Sequence, residues 1–380
     1  MISLINYMTR VRFGYGSLEA LSEEAASAGI ARPLVVTDKG VVAAGLLERV
    51  LARLADRKAA TLFDATPANP HEAAVQDAAR CFREADCDGI VALGGGSSID
   101  LAKGVAVCAR HDGELKRYAA IEGGAARITS NAAPIIAIPT TAGTGSEVGS
   151  GAILILADGR KLGVISPHLL PKAAICDPEL TLTLPAALTA ATGMDAIAHC
   201  VETFLAPAIN YPAEAIAIDG LRRAWRHIET ATFEPHNRIA REQMMSASMQ
   251  GALAFQKGLG CVHSISHALG AIDPRLHHGT LNALLLPAVL SFNRTAQSVV
   301  DAHKMERIAE AIGVARVDAI VPAFRQLNAR LGLPDGLRAL GVTDAVFDAL
   351  IDYAFQDRGH ANNPRTPSRE DYVAILNESM

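Results

Sequence analysis

The chain has 380 residues, half of them apolar, and a formal net charge of -5. That length holds a large buried core and two or three domains, and a mildly acidic charge with both signs interspersed excludes the basic footprint of a nucleic-acid binder. The longest apolar runs, near Ile135–Pro139 and Ala152–Ala157, are far too short to cross a bilayer and suit buried strands.

From the N-terminus, Met1–Arg10 has no basic segment ahead of its short apolar run and does not read as a signal peptide. Cys81, Cys87, Cys108, Cys176, Cys200 and Cys261 form no C-x-x-C pair and sit among small apolar residues. Disulfides are therefore not expected, and a cytoplasmic location is. Pro33–Thr37 predicts a strand and Val41–Arg57 a helix, Ala59–Phe63 a strand and His71–Ala85 a helix, Gly89–Leu93 a strand and Ile99–Cys108 a helix. Ile135–Ile138 and Ala174–Cys176 add two more strands. Strands alternating with amphipathic helices imply βαβ units and a parallel sheet covered on both faces. After Leu184-Pro185 the β signal nearly vanishes. Ala187–Phe204, Ile239–Phe255 and Leu281–Ser291 carry apolar residues at helical spacing, with Pro185, Pro212, Pro235, Pro287 and Pro334 expected at boundaries or in first turns. The expected organisation is an α/β domain over 1–184 followed by an all-α domain over 185–380.

Two loops in the first half suit phosphate. Ile90–Leu93 runs into Gly94-Gly95-Gly96-Ser97-Ser98, after which a helix begins. Glycines allow close backbone approach, and the new helix directs its free N–H groups and positive end at whatever lies there. A plain Gly/Ser turn with a capping serine is the alternative. The second loop, Thr140-Thr141-Ala142-Gly143-Thr144, follows another apolar strand, where ligands gather in open α/β sheets. Asp38, at the end of the first strand, suits a ribose 2′-hydroxyl and disfavours a 2′-phosphate, pointing to NAD. The usual G-x-G-x-x-G is absent there.

The second half concentrates imidazoles. Asp195 and His199 stand four apart, as do His263 and His267, and His277-His278-Gly279 follows. A spacing of four stacks side chains on one helical face. A carboxylate with imidazoles and no thiolate accepts Fe(II), Zn(II), Co(II) or Ni(II) without choosing sharply among them.

Together these residues resemble the iron-containing alcohol dehydrogenases over nearly the whole chain. The matching features are Thr37-Asp38-Lys39, Pro67 to Pro70, Gly94 to Ser97 with Asp100 and Lys103, Pro139 to Thr144, Asp177-Pro178, Thr192 to Asp195 with His199, and His263 to His267 with Gly270. The resemblance implies a dehydroquinate synthase-like architecture: a dinucleotide-binding α/β domain with a parallel sheet, then an all-α metal-binding domain. It implies Asp195, His199, His263 and a histidine before glycine as metal ligands. That last position is doubled here; His278-Gly279 keeps the downstream register to Asn282, so His278 is assigned and His277 is the fallback. His267 is implied beside substrate or nicotinamide, relaying a proton directly, with His277 through water as the other candidate. Cofactor contacts carry over to Asp38, Asn69, Gly95, Gly96 and Ser97, to Thr140, Thr141 and Thr144, and on looser matches to Lys161 and Leu180. The cofactors implied are NAD and a divalent metal, Fe(II) first and Zn(II) second. The implied reaction is hydride transfer between NAD and a primary alcohol/aldehyde pair, an ω-hydroxy acid such as 4-hydroxybutyrate being the leading substrate. A short-chain alcohol or diol dehydrogenase and a hydroxyacid–oxoacid transhydrogenase with retained NAD are the alternatives. Arg275 and Arg365 are candidate partners for a substrate carboxylate, and a homodimer is the expected assembly.

Overall fold

The computed structural model describes Ile5, Tyr7 and residues 9–380. Its contacts divide the chain into a sheet unit, reaching to Thr141 and resuming over Gly145–Thr183, and a helical unit of Leu184–Met380 joined by Ala142–Thr144.

The sheet unit is built on six parallel strands: β1 (Val11–Phe13), β2 (Pro33–Val36), β3 (Thr61–Phe63), β4 (Gly89–Gly94), β5 (Ile135–Pro139) and, after a hairpin of β6 (Gly151–Ile155) and β7 (Lys161–Ile165), β8 (Ala173–Cys176). The sheet order is β1-β8-β5-β4-β2-β3, while β6 and β7 pair antiparallel outside it. Alternate residues of the central strands feed two cores. Leu34, Val36, Ile90 and Ala92 pack on one face, and Val35, Val91, Leu93, Ile136 and Ile138 on the other. Both faces are therefore dry, which is why these strands read as continuous apolar runs. The covering helices are α1 (Leu21–Ser27), α2 (Lys39–Ala43), α3 (Leu46–Leu51), α4 (Glu72–Glu84) and α5 (Gly96–Cys108).

Three expectations are corrected. The helix expected over Val41–Arg57 is broken, because Gly45 at φ 75° ends α2 and starts α3. The strand expected from Ala59 starts at Thr61, since Arg57–Ala59 forms a 3-10 turn capped by the Asp56 carboxylate. Pro287, expected at a boundary, lies inside a helix of sixteen residues. A proline there removes the donor to the carbonyl four residues earlier. That carbonyl, of Ala283, accepts instead from Asn328 Nδ2 at 2.7 Å.

The helical unit contains α6 (Ala186–Leu205), α7 (Tyr211–Phe233), α8 (Arg238–Leu253), α9 (Cys261–Ile272) and α10 (His278–Asn293), followed by shorter helices to Ser379. Pro185 caps α6 and Pro212 lies in the first turn of α7. Glycines let these helices approach closely. A Cβ on Gly193 would come within 2.8 Å of Ile228 in α7, and one on Gly279 would overlap the Ala191 carbonyl of α6. The second contact brings the start of α10 onto α6 beside Asp195. No helix among the described residues is long and apolar enough to cross a membrane.

Gly279→Ala is expected to destabilise the fold by about 1–3 kcal/mol, the usual range for overpacking. Urea unfolding checks this, with a lower midpoint at unchanged slope as the expected outcome.

Candidate metal centre and dinucleotide loops

Asp195 and His199 lie on α6, His263 and His267 on α9, and His278 opens α10. The helices bring their polar ends to one point. Asp195 Oδ1 is 3.7 Å from Nε2 of His199, of His263 and of His278 alike. The ligand atoms of Asp195, His263 and His278 all lie within 4.8 Å of one another. Donors held tetrahedrally at ~2.1 Å from one ion stand ~3.4 Å apart, so the spacing suits a transition metal.

The far side of each ring is held by hydrogen bonding, which decides the near side. His199 Nδ1 faces the Gly143 carbonyl at 3.2 Å, His263 Nδ1 faces Glu202 Oε2 at 2.5 Å, and His278 Nδ1 faces Ser266 Oγ at 3.3 Å. All three rings thereby turn Nε2 toward Asp195, the tautomer that metal-binding histidines need. Asn282, one turn into α10, donates its amide to Asp195 Oδ1 at 2.7 Å and lies 3.2 and 3.1 Å from Nε2 of His263 and His278. Its own Oδ1 is buried without a hydrogen-bond partner among the described residues. The donor set thus fits a divalent cation.

Burial opposes ionisation of Asp195, but the imidazoles of His199, His278 and His263 outweigh it and hold the carboxyl well below the usual range. Burial pushes His199 down to about 4, against the pull of Asp195, so it is neutral at pH 7. Burial also disfavours charge on His263, but Glu202 and Asp195 prevail and raise it to about 9.

The other histidines separate. His267 stacks on His278, with ring centroids 5.2 Å apart, and its Nδ1 lies 2.9 Å from Asp357 Oδ2. His277 is exposed and caps α10, outside the cluster. Both arginines suggested for a substrate carboxylate are already paired with an acid. The Arg275 side chain is 89% exposed and gripped at both ends by Asp273, with bonds of 2.9 and 2.7 Å. Arg365 lies over the Phe292 ring and pairs with Asp371.

In the sheet unit, β2 runs on to the edge strand β3, and β4 returns to the other side of β2. The carboxyl ends of β2 and β4 therefore form a topological switch point, where such sheets bind ligands. Gly94 (φ 148°) ends β4 at a backbone angle that favours glycine, and a Cβ on it would stand 2.5 Å from Ser98 Oγ. Gly95 caps α5 without a side chain, and Gly96 and Ser97 form its first turn. Ser97 Oγ donates to the Ala68 carbonyl at 2.5 Å, and the adjacent Asn69 Oδ1 accepts from Lys161 Nζ at 2.8 Å. Asp38 caps α2 by accepting from Val41 N at 2.9 Å, while its Oδ2 lies 3.5 Å from Ser98 Oγ, beside the glycine turn. Thr140 N donates to the Gly94 carbonyl at 3.0 Å, and the Thr141 side chain lies against Gly95. Thr144 belongs to the helical unit. Leu180 is buried in the core with Leu93 and Ile138, so its side chain is a packing element.

Several functional side chains escaped the sequence reading. Glu202 follows Asp195 and His199 at a spacing of seven and three, on the same face of α6, and that periodicity was the available signal. Ser266 and Asp357 carried none. Asp100 and Lys103 bear no role in the sequence reading, yet they lock the turn after the Thr140 loop. The fully buried Lys103 donates to Ser146 O at 2.7 Å, Ser146 Oγ at 2.8 Å and Gly151 O at 2.7 Å, and Ser146 Oγ donates to Asp100 Oδ1 at 2.5 Å. The neighbouring Glu147 is buried too, and burial pushes its carboxyl up to about 7.

Comparison with known proteins agrees with this architecture. Residues 8–178 match the family model of the iron-containing alcohol dehydrogenases, and residues 189–380 match that of the C-terminal part of the same family. The chain is 58% identical to a 4-hydroxybutyrate dehydrogenase of Cupriavidus necator over 383 residues, covering 100% of both. It is 36% identical to a 1,3-propanediol dehydrogenase of Klebsiella pneumoniae, over 97% of this chain and 96% of that one. Among solved structures it is similar to a sulfoacetaldehyde reductase from Bifidobacterium kashiwanohense in complex with NAD+, with a TM-score of 0.89, 30% identity, and coverage of 100% and 99%.

Two outcomes are expected. Asp195→Ala should abolish tight binding of a divalent metal, and Glu202→Gln should weaken it about 10–100-fold, as loss of an outer-shell partner does; anaerobic metal titration measures both. Glu147, whose folded pKa of about 7 exceeds its ordinary 4.5, favours folding fully below pH ~4.5 and loses that contribution as pH rises through ~7. Glu147→Gln should therefore gain up to about 3 kcal/mol on the parent between pH 5 and pH 8, read by urea unfolding at both.

Proposed function

Since the chain belongs to the iron-containing alcohol dehydrogenase family, we propose that it oxidises an ω-hydroxy acid, foremost 4-hydroxybutyrate, to the semialdehyde with NAD as hydride acceptor. The observation that carries the substrate is the 58% identity, end to end, to a protein named 4-hydroxybutyrate dehydrogenase. The metal ligands in this reading are Asp195, His199, His263 and His278, with Fe(II) as the native ion and Zn(II) as an ion the same donors accept. NAD is held by Asp38, Asn69, Gly95, Gly96, Ser97, Thr140, Thr141, Thr144 and Lys161, with Leu180 lending only main chain. The enzyme works in the cytoplasm as a homodimer.

When bound, the metal supplies Lewis acidity that lowers the pKa of a substrate hydroxyl. The chain's own residues do the rest. Glu202, the Gly143 carbonyl and Ser266 hold the Nδ1 side of the ligand rings, so their orientation is set before a metal is held. Phe255, edge-on to His199 at 4.7 Å, supplies an apolar wall. His267 takes the hydroxyl proton. The Asp38 carboxylate accepts from the ribose and repels a 2′-phosphate, which favours NAD over NADP. Arg275 and Arg365, the cations suggested for the substrate carboxylate, are paired with Asp273 and Asp371, so a clamp by either would exchange one carboxylate for another.

The test is an anaerobic assay with NAD of the Fe(II)- and Zn(II)-reconstituted enzyme on 4-hydroxybutyrate, 1,3-propanediol and 1-butanol. We expect kcat/KM for 4-hydroxybutyrate to exceed that for 1-butanol by about a hundredfold, the discrimination of one charge-assisted contact of ~3 kcal/mol. Equal efficiency on the two would reject the hydroxy-acid assignment, and absence of free NADH during turnover would indicate hydride transfer to a second oxo-acid.

A further inference from the structure

A proton acceptor must have its ring set and its tautomer fixed, and His267 has both decided by one carboxylate. Its Nδ1 lies 2.9 Å from Asp357 Oδ2. The same carboxylate is held on its other oxygen, Oδ1 accepting from Gly359 N at 2.7 Å and from Ser264 Oγ at 3.2 Å. Burial works against ionisation of Asp357, but His267 and these donors lower its pKa to about 2, so it is charged at pH 7. A carboxylate can only accept. His267 must therefore donate from Nδ1 and, when neutral, keep its lone pair on Nε2.

The segment around Asp357 is built for this reach. A Cβ on Gly359 would overlap the Gly260 carbonyl and lie 2.7 Å from Ser264 Oγ, so only glycine lets this turn press against α9. Asn363 fastens the same segment, accepting from Cys261 N at 3.2 Å and exchanging amide hydrogen bonds with Asn293 at 3.1 and 2.7 Å. Asn363 of the Asn362-Asn363-Pro364-Arg365 motif thus anchors α9.

We propose that Asp357 is a positioning residue for His267, holding the imidazole protonated on Nδ1 so that Nε2 accepts the hydroxyl proton of the alcohol, and steadying the imidazolium that results. The balance is simple. The alcohol O–H bond breaks as an N–H bond forms at Nε2, the electron pair of the carbinol C–H bond leaves as hydride to the nicotinamide, and the imidazolium later gives its proton to water. This rests on the reading of the chain as an NAD-linked alcohol dehydrogenase.

The test uses the full-length zinc-loaded enzyme. Asn at 357 offers an amide donor that turns the tautomer over. Asp357→Asn should lower kcat by about a hundredfold or more, within the range of general acid–base effects, while KM for the alcohol stays within about threefold. In histidine-labelled protein, long-range ¹H–¹⁵N spectra, with the His267 signals identified by their loss in His267→Gln, should show the proton on Nδ1 in the parent and on Nε2 in Asp357→Asn. Asp357→Glu should restore part of kcat. A folded Asp357→Asn enzyme with kcat within about threefold of the parent, or with the His267 pattern unchanged, overturns the proposal. If that variant does not fold, Gly359→Ala decides by the same readouts, since it displaces the carboxylate without altering its chemistry; a parental kcat and spectrum there overturn it equally. A parent enzyme that reduces no NAD with any alcohol counts against the functional reading alone, because the ¹⁵N pattern still reports on Asp357.

Discussion

A carboxylate buried beside three imidazoles is the constraint that organises the helical unit. Asp195 has almost no exposure, and a lone buried carboxylate would be strongly disfavoured. It is tolerated because His199, His263, His278 and the Asn282 amide surround it with donors or cation-binding atoms. To bring them there, α6, α9 and α10 must converge with their polar residues inward, which requires glycine where α10 meets α6 and a second buried acid, Glu202, to hold one ring. The small residues along these helices serve the same convergence. Isolated, each would be an ordinary helix former; together they set interhelical distances that a set of leucines could not.

The sheet unit solves a different problem with the same economy of means. Both faces of its strands are covered, so polar chemistry is confined to the strand ends. At those ends the backbone does most of the presenting. Gly94 turns the chain, Gly95 leaves the start of α5 uncluttered, and Asp38 and Ser98 stand next to each other beyond neighbouring strands. The buried Lys103 and the half-buried Asp100 bind the following turn by charge-assisted hydrogen bonds. They stiffen the loop.

Much of this was legible in the amino-acid order, for identifiable reasons. The alternation of apolar strands and helices, and its stop at Leu184, follow from periodicity, and the α/β-then-helical class holds. The three-residue β1 was too short for any period to register, and its pairing with β8 is a long-range event. The apolar run at β6 read as a buried strand, β7 gave no such signal, and only tertiary context separates their hairpin from the main sheet. Asp195, His199 and His263 stood out because helical spacing is written locally. The choice of His278 over its neighbour came from register, and the structure gathers His278 with Asp195 and His263 while His277 stays exposed. Asp357 was invisible because it meets His267 across 90 residues of chain. Arg275 and Arg365 stood near motifs in the sequence, but their pairing with acids two and six residues away was not read from it.

The proline inside α10 carries an implication for how the chain can change. Because Pro287 gives no N–H, the Ala283 carbonyl depends on the Asn328 amide. Losing Asn328 while the proline is present strands a buried oxygen, at about 1–3 kcal/mol. If the proline is first exchanged for alanine, the helix regains its own donor and Asn328 becomes dispensable. The pair is therefore epistatic with a direction: one order of replacement is open to drift and the other is barred, so descendants retaining the proline are bound to retain the asparagine.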